Sequence, residues 1–500
     1  MENKNRNILS LLLSMTIFLG MGFRSVPSFA QPQKSSQKRD QNTPTLSILD
    51  FLDQVANNHD EFKAARESAE ASKLRESESH LLLSPTLFGS AQRTEDRKPS
   101  FQTPADESIT NAYQLGLSQM TTSGLSGRLY YNYQDLQFKG VTLGGAAGPT
   151  DLHLVQASPV LELTLPLWRN WAGGETKSQV EQGEAVTKQA LYSQTYRQKS
   201  ILVQAAMAYW NLALSRETVR ISQDALDRNE QLVKWQAQRA RNGLGDRADL
   251  LQAQAALQNS QINLKTSQDS ELSMARTFNL ARGKSSTDVS EKLMPLTSEY
   301  IDRLKSPVRQ ELRDDVGAAR EQARAATAAA ELSRQRDLPT LELFGAASLN
   351  NPNPTDTGAA IPGSFKTERP TDTIGIRLSA PLDLKLISDT RAGWEREKVA
   401  TELSYRRKLL EQENDWNDLG DKFRQAQERI RMYEQLEKKQ KEKFDYERSR
   451  RTAGRTTTQQ VLLFETDFEQ AQLSRIRSLS DLFLVYAQMK LYEGAADESR

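Results

Sequence analysis

Apolar and small residues recur at three-four spacing near the end of the chain: Val461, Phe464, Phe468, Ala471, Ser478, Leu482, Val485, Met489 and Tyr492. Arg475 is the one charged member of the series. A seven-residue period predicts a helix in left-handed coiled-coil contact, although an amphipathic helix in an ordinary bundle has the same spacing. Shifting each position back by 211 gives Leu250, Ala253, Leu257, Ser260, Leu264, Ser267, Met274, Phe278 and Ala281, with Glu271 as the exception. The same shift carries Gly454 onto Gly243 before the helix and Gly494 onto Gly283 after it. The chain is read as internally duplicated.

A longer helical segment precedes each seam. Glu184 to Asn242 holds no Gly or Pro, and at 1.5 Å per residue it reaches roughly 90 Å. Its counterpart runs from Trp394 to Ala453, interrupted by Gly420. Joined at Gly243 and Gly454, the pairs predict two antiparallel helical hairpins with tight tips. A third helical segment opens each half, Leu46 to Leu83 and about Ala318 to Leu338.

Proline marks the switches between helix and strand, at Pro85 and Pro339 on the way in and at Pro166 and Pro381 on the way out. Between them, side chains alternate with period two. Leu341, Leu343 and Ala347 alternate with Thr340 and Glu342, Ile374, Ile376 and Leu378 with Thr373 and Arg377, and Leu161, Leu163 and Leu165 with Glu162 and Thr164. The pattern fits a membrane barrel, and it equally fits a half-buried sheet in a soluble protein. The prolines stand 81 residues apart in the first half and 42 in the second. The excess contains Tyr113 to Gln119 and Leu129 to Phe138 around Thr121-Thr122-Ser123-Gly124, an additional hairpin. Asn350 to Pro370 is read as an exposed loop.

Composition narrows the class. Sixty-six basic and 65 acidic residues are interspersed, which argues against nucleic acid as a partner. The hydrophobic fraction of 37% suits narrow helical seams and a thin wall better than large globular cores. With no cysteine, disulfides, Cys-ligated zinc and thiol nucleophiles are excluded. Lys4 and Arg6, an apolar run from Ile8 to Phe23 and the small residues of Ser28-Phe29-Ala30 predict a secretory signal peptide over 1–30. An uncleaved membrane anchor is the alternative, for which the run is short and interrupted by Ser10, Ser14 and Thr16. The first structural repeat is then expected over 31–305 and the second over 306–500.

Helix, strand hairpin and long helical hairpin, all twice behind an export signal, resemble the TolC family of outer-membrane efflux proteins. The resemblance covers Leu46 to Gly494. It is carried by Leu338-Pro339-Thr340-Leu341, Leu378-Ser379-Ala380-Pro381-Leu382, Asn242-Gly243-Leu244 with Asp249-Leu250-Leu251-Gln252-Ala253, and Gly454 with Val461-Leu462. It implies an α+β fold of mainly long α-helices in an antiparallel coiled-coil barrel, with a transmembrane β-barrel completed by a homotrimer. Elementary physics agrees, because strands from one chain would leave open edges that a lipid bilayer does not tolerate, and threefold symmetry removes them. The extra hairpin departs from two strands per repeat and leaves the strand number open. The resemblance further implies an exit duct of a tripartite efflux or type I secretion system in a Gram-negative outer membrane. Its partners would be a periplasmic adaptor (membrane fusion) protein and an inner-membrane transporter.

No catalytic residue, metal or cofactor is expected. His59, His80 and His153 have no ligand-like spacing, and no nucleophile-elbow, P-loop or zinc-protease motif occurs. The resemblance places a gate at the periplasmic tips: Asp249, six residues after Gly243, facing Arg455 and Thr456. A solvated aspartate favoured by its helix N-terminus is the plainer reading of Asp249. The family's aspartate ring maps onto Gln460 and Leu463, which carry no charge. Asn242, Gly243, Leu244 and Gly454 would meet the adaptor, although turn geometry alone accounts for the glycines. Trp168 and Trp171 fit an aromatic belt at the inner interface of the membrane, or core packing. The competing class is a periplasmic coiled-coil adaptor or structural envelope protein, and an adaptor would carry one hairpin rather than two.

Overall fold

The computed structural model describes residues 45–98, 105–141, 150–299, 304, 306–309, 311–353, 357–366, 370–453 and 455–493. The expected signal peptide at 1–30 and the glycines at 454 and 494 lie outside them. In chain order the elements are β1 (Thr45–Leu46), α1 (Ile48–Asn58), α2 (Asp60–Leu74), β2 (Thr86–Asp96), β3 (Glu107–Met120), β4 (Ser126–Val141) and β5 (Thr150–Pro166). Next come α3 (Gly174–Arg241), α4 (Arg247–Ala281), β6 (Lys292–Leu293) and α5 (Asp314–Arg336). The chain continues with β7 (Thr340–Leu349), β8 (Asn351–Asn353), α6 (Thr357–Gly363), β9 (Pro370–Ser379), α7 (Leu384–Thr452) and α8 (Thr458–Met489).

The helical hairpins are α3–α4 and α7–α8. Both long helices begin ten residues earlier than the patterning predicts, and α3, with 68 residues, is about 100 Å long. Gly420 sits inside α7 with nothing near its absent side chain, so it breaks neither packing nor the helix. All ten positions of each predicted seam are buried or half-buried; the other faces of α4 are largely exposed, whereas the second half of α8 is covered nearly all round. The first helical segment is not one helix as expected: α1 and α2 meet at His59, whose ring nitrogen accepts from the Phe62 amide. Two-residue strands β1 and β6 pair in parallel beside them.

The main apolar core lies midway along the helices. Phe51 stacks on Phe278 at 4.3 Å between ring centroids, and Trp210 stacks on Phe483 at 4.0 Å. The Tyr209 hydroxyl donates to Leu46 O at 2.6 Å and accepts from the Met294 amide at 2.9 Å, which ties β1 and β6 to α3. Elsewhere contacts run along narrow seams, which explains the low hydrophobic fraction.

The strands form one antiparallel sheet in the order β2-β3-β4-β5-β7-β9, with β8 pairing onto β5. The register puts Leu87, Leu117, Leu129 and Leu161 in one row, with Ala347 following on β7. Leu343 pairs with both Leu165 and Ile376, and Leu341 with Leu378. One face is therefore a continuous apolar band, open where Ile374 is 81% exposed and Leu87 68% and covered by α6 over Val155 and Ala157. The opposite face carries Ser118, Arg128, Glu162, Thr164, Glu342 and Arg377. A soluble sheet would cover its apolar face. Among the described residues no helix is long and apolar enough to cross a membrane.

The segment from Asn350 is more ordered than the exposed loop expected of it. Ala360 of α6 packs, fully buried, on Val155 and Ala157, with Tyr131 and Tyr133 beside them. The Ser364 and Tyr131 hydroxyls are 2.9 Å apart.

Candidate functional site: the helical hairpin tips

At the first tip α3 ends on Asn242, and Gly243 takes φ +69°. That left-handed step lets the Leu244 amide donate back to Arg239 O at 2.9 Å, closing the helix end. The Arg239 guanidinium donates to Leu244 O, also at 2.9 Å. The Asp246 side chain then caps α4 through the Ala248 amide at 3.0 Å. The second tip repeats this 211 residues on. The Arg455 amide donates to Arg450 O at 2.9 Å, and the Arg450 guanidinium to Arg455 O at 2.9 Å. Thr457 caps α8 through the Gln460 amide at 3.3 Å. The duplication thus extends to individual hydrogen bonds.

Behind the tips, polar contacts surround a small apolar cluster of Phe444, Val461 and Phe468. Asn229 donates to Ser260 at 2.9 Å, and the hydroxyls of Ser222 and Ser267 are 3.1 Å apart, within the first hairpin. The Thr456 hydroxyl donates to the buried carboxylate of Glu447. Other contacts join the two hairpins. Gln236 of α3 donates to Thr458 of α8. Arg228 of α3 donates to Glu465 of α8 at 2.8 Å and lies over the rings of Phe444 and Phe468, 5.9 Å from each centroid. Trp235 of α3 has guanidinium groups on it from both hairpins, Arg239 at 4.8 Å and Arg451 of α7 at 5.2 Å. Burial pushes the Glu465 carboxyl above the usual carboxylate range, and Glu469 adds to this, while Arg228 and Arg451 pull it down. Burial likewise raises Glu469.

The residues singled out from sequence do gather at the tips. Asn242, Gly243 and Leu244 are exposed, as are Arg455, Gln460 and Leu463, while Asp249 and Thr456 are half-buried. Within one chain, Asp249 and Arg455 form no ion pair among the described residues. Thr456 instead turns inward to Glu447. Glu447, Arg228, Glu465, Gln236 and Trp235 were missed. The available signal was the facing seam: Glu437, Gln440, Phe444, Glu447 and Arg451 keep three-four spacing on α7, and polar residues at such positions announce buried pairs.

At the other end, where sheet meets helix, Asn170 and Ala172 take left-handed conformations at φ 62° and 52°. The Asn170 side chain compensates by accepting from the Thr176 amide at 3.0 Å. Arg169 grips Glu175 through two bonds of 2.8 and 2.9 Å, and Arg336 of the second repeat reaches the same carboxylate at 3.2 Å. Trp168 and Trp171 flank this junction, 49% and 59% exposed in the protomer.

A family model described as outer membrane efflux protein matches residues 141–278 and 309–482, one segment in each half. No curated protein matches the sequence. Among solved structures, the chain is similar to the outer membrane protein VceC from Vibrio cholerae, at 16% identity and a TM-score of 0.62, with 89% of this chain and 96% of that one covered. It is similar to the CmeC outer membrane channel of Campylobacter jejuni at 14% identity and a TM-score of 0.61, covering 96% and 95%. The open state of the MtrE outer membrane channel of Neisseria gonorrhoeae gives 14% identity and a TM-score of 0.57, covering 93% and 98%.

Proposed function

Because this chain belongs to the outer membrane efflux protein family, a family of channels and not of enzymes, we propose that it is the passive exit duct through which a Gram-negative cell discharges cargo across its periplasm and outer membrane. The observation that carries this is the union of two incompatible surfaces in one chain. An exposed apolar sheet face demands lipid, and helices about 100 Å long, rich in charge, demand water.

Three copies complete the duct. Among the described residues nothing pairs with the outer edges of β2 and β9, and in lipid they must be closed by neighbours. Residues 1–30 direct export and are removed, and two repeats, 31–305 and 306–500, then make up each subunit. The tips form the periplasmic gate. Asp249 and Arg455, without an ion-pair partner within their own chain among the described residues, pair between adjacent copies and hold the tips together. The exposed turns at Asn242-Gly243-Leu244 and around Arg455 receive a periplasmic adaptor, which links the duct to an inner-membrane transporter.

The test is direct. Purified from outer-membrane fractions, the protein should run as a heat-modifiable trimer and open discrete conductances in planar bilayers. A detergent-independent, water-soluble monomer without channel activity would overturn the reading.

A further inference from the structure

The two repeats differ in how many strands they give the wall. In the second, β7 pairs directly with β9. In the first, β2 and β5 do not touch, because β3 and β4 stand between them along their length, from Thr86↔Ser118 to Asp96↔Ser108 and from Ser126↔Thr164 to Phe138↔Leu152. The inserted hairpin is built as wall. Its Leu115, Leu117 and Leu129 are exposed on the same face as Leu87 and Leu163. On the opposite face Gly116 lies against Tyr130, where a side chain on the glycine would come within 2.3 Å of the Tyr130 Cβ.

The hairpin is also locked to the helical part at its base. Gly124, at φ +84°, abuts Asn170. Gly173 is so close that a side chain there would meet Thr122 O at 1.8 Å. A decoration hanging off the barrel would need neither contact.

Taking the threefold assembly of the preceding section as given, we propose that the barrel closes with eighteen strands, six from each copy, and that β3–β4 widens the outer-membrane section to the bore of the helical tunnel. Polarity permits the seams: β2 leads away from the helices and β9 leads back to them, so β9 of one copy meets β2 of the next antiparallel, as at every other pairing in the sheet. Dimensions favour the count. Strands about 4.8 Å apart and tilted by about 40° give a perimeter of roughly 113 Å for eighteen and roughly 75 Å for twelve. Next to the sheet the tunnel is lined by twelve helices, α2, α3, α5 and α7 from three copies, which at about 9–10 Å spacing give roughly 110–120 Å. Eighteen strands continue the tunnel without a step, so cargo as wide as the tunnel meets no second constriction on leaving.

Electron cryomicroscopy of the full-length protein in lipid nanodiscs tests this. The expected result is a threefold barrel of eighteen strands with a β9–β2 seam. A trimer with twelve wall strands and β3–β4 folded outside would overturn the proposal and leave the exit-duct reading standing. Any other copy number would overturn both. As a second measurement, polymers of graded size added on the extracellular side report the width of the outer section. Deleting residues 105–141 should lower the radius at which they are excluded by about a third, and an unchanged cut-off in a folded trimeric variant would refute the widening.

Discussion

Arg475 of α8 and Glu437 of α7 form an ion pair across the second helical hairpin, at the one position where the apolar seam of α8 is broken. The first hairpin solves the same problem with the signs exchanged: Glu271 of α4 meets Arg216 of α3 at 3.3 Å. A charge in a coiled-coil seam is tolerated when the facing helix supplies its counter-ion, and it then fixes register. Replacing Arg475 with Leu strands Glu437 in a site where both side chains are about one-fifth exposed. The expected loss is about 1–3 kcal/mol, less than for a fully buried pair. The double variant Arg475→Leu/Glu437→Leu should recover most of it. Thermal melts of the helical signal measure both; a single variant as stable as wild type would show the pair to be dispensable.

The glycines predict a contrast. Gly243 has left-handed φ but nothing within 4 Å of its absent side chain, whereas Gly173 combines φ +77° with Thr122 O in the way. Gly243→Ala pays only the backbone strain, about 1 kcal/mol, and the protein should still reach the outer membrane as a trimer. Gly173→Ala must push the β3–β4 turn off the start of α3, and heat-modifiable trimer should fall severalfold. Equal yields of the two variants would mean that the turn is not an anchor.

These outcomes depend on features that were unequally legible in the sequence. The seams of α4 and α8 and the alternation of β7 and β9 could be read because one period runs uninterrupted over many residues. The start of α3 could not, because Gly174 follows Gly173 with no side-chain cap. The start of α7 does carry a cap, Asp383, whose side chain accepts from the Leu386 amide at 2.9 Å, but a lone Asp ahead of Leu384 does not stand out without the seam that begins further on. Asp249, Arg455 and Gln460 could be placed near the hairpin turns because the 211-residue shift locates both turns. Arg228 and Glu465 were overlooked because their pairing links helices 237 residues apart, a distance over which periodicity carries no information. The strand number was open for a related reason: alternation fixes which face a residue takes but not which strands are neighbours.

The Arg228–Glu465 contact carries a pH dependence. Burial raises the folded-state pKa of Glu465 above its unfolded value, so the fold binds the proton more tightly than the unfolded chain does. The resulting stabilisation is full below the ordinary carboxylate range, about pH 4.3, and is lost as pH rises through the folded value. Wild type should therefore gain stability relative to Glu465→Gln as pH is lowered from neutral towards about 5. Melting temperatures of the two proteins across that range decide it. A difference that stays constant with pH would show that Glu465 titrates normally.

The exposed charges of the tips make the last prediction. The family resemblance would put Gln460 and Leu463 at the positions of a constricting carboxylate ring, and neither carries a charge. In a threefold pore each substitution is multiplied by three, so Gln460→Asp with Leu463→Asp would set six carboxylates around one axis. Attraction for a multivalent cation grows with every charge added near the axis and is screened least where the pore is narrow. Wild type should accordingly be blocked by multivalent cations only at high concentration. The double variant should be blocked at concentrations lower by about two orders of magnitude, roughly 2.7 kcal/mol of added binding. Asp249→Ala, by removing the proposed link to Arg455 of the adjacent copy, should raise conductance without changing the block. Bilayer recordings read both effects, and micromolar block of wild type, or a double variant no more sensitive than wild type, would place the constriction elsewhere in the duct.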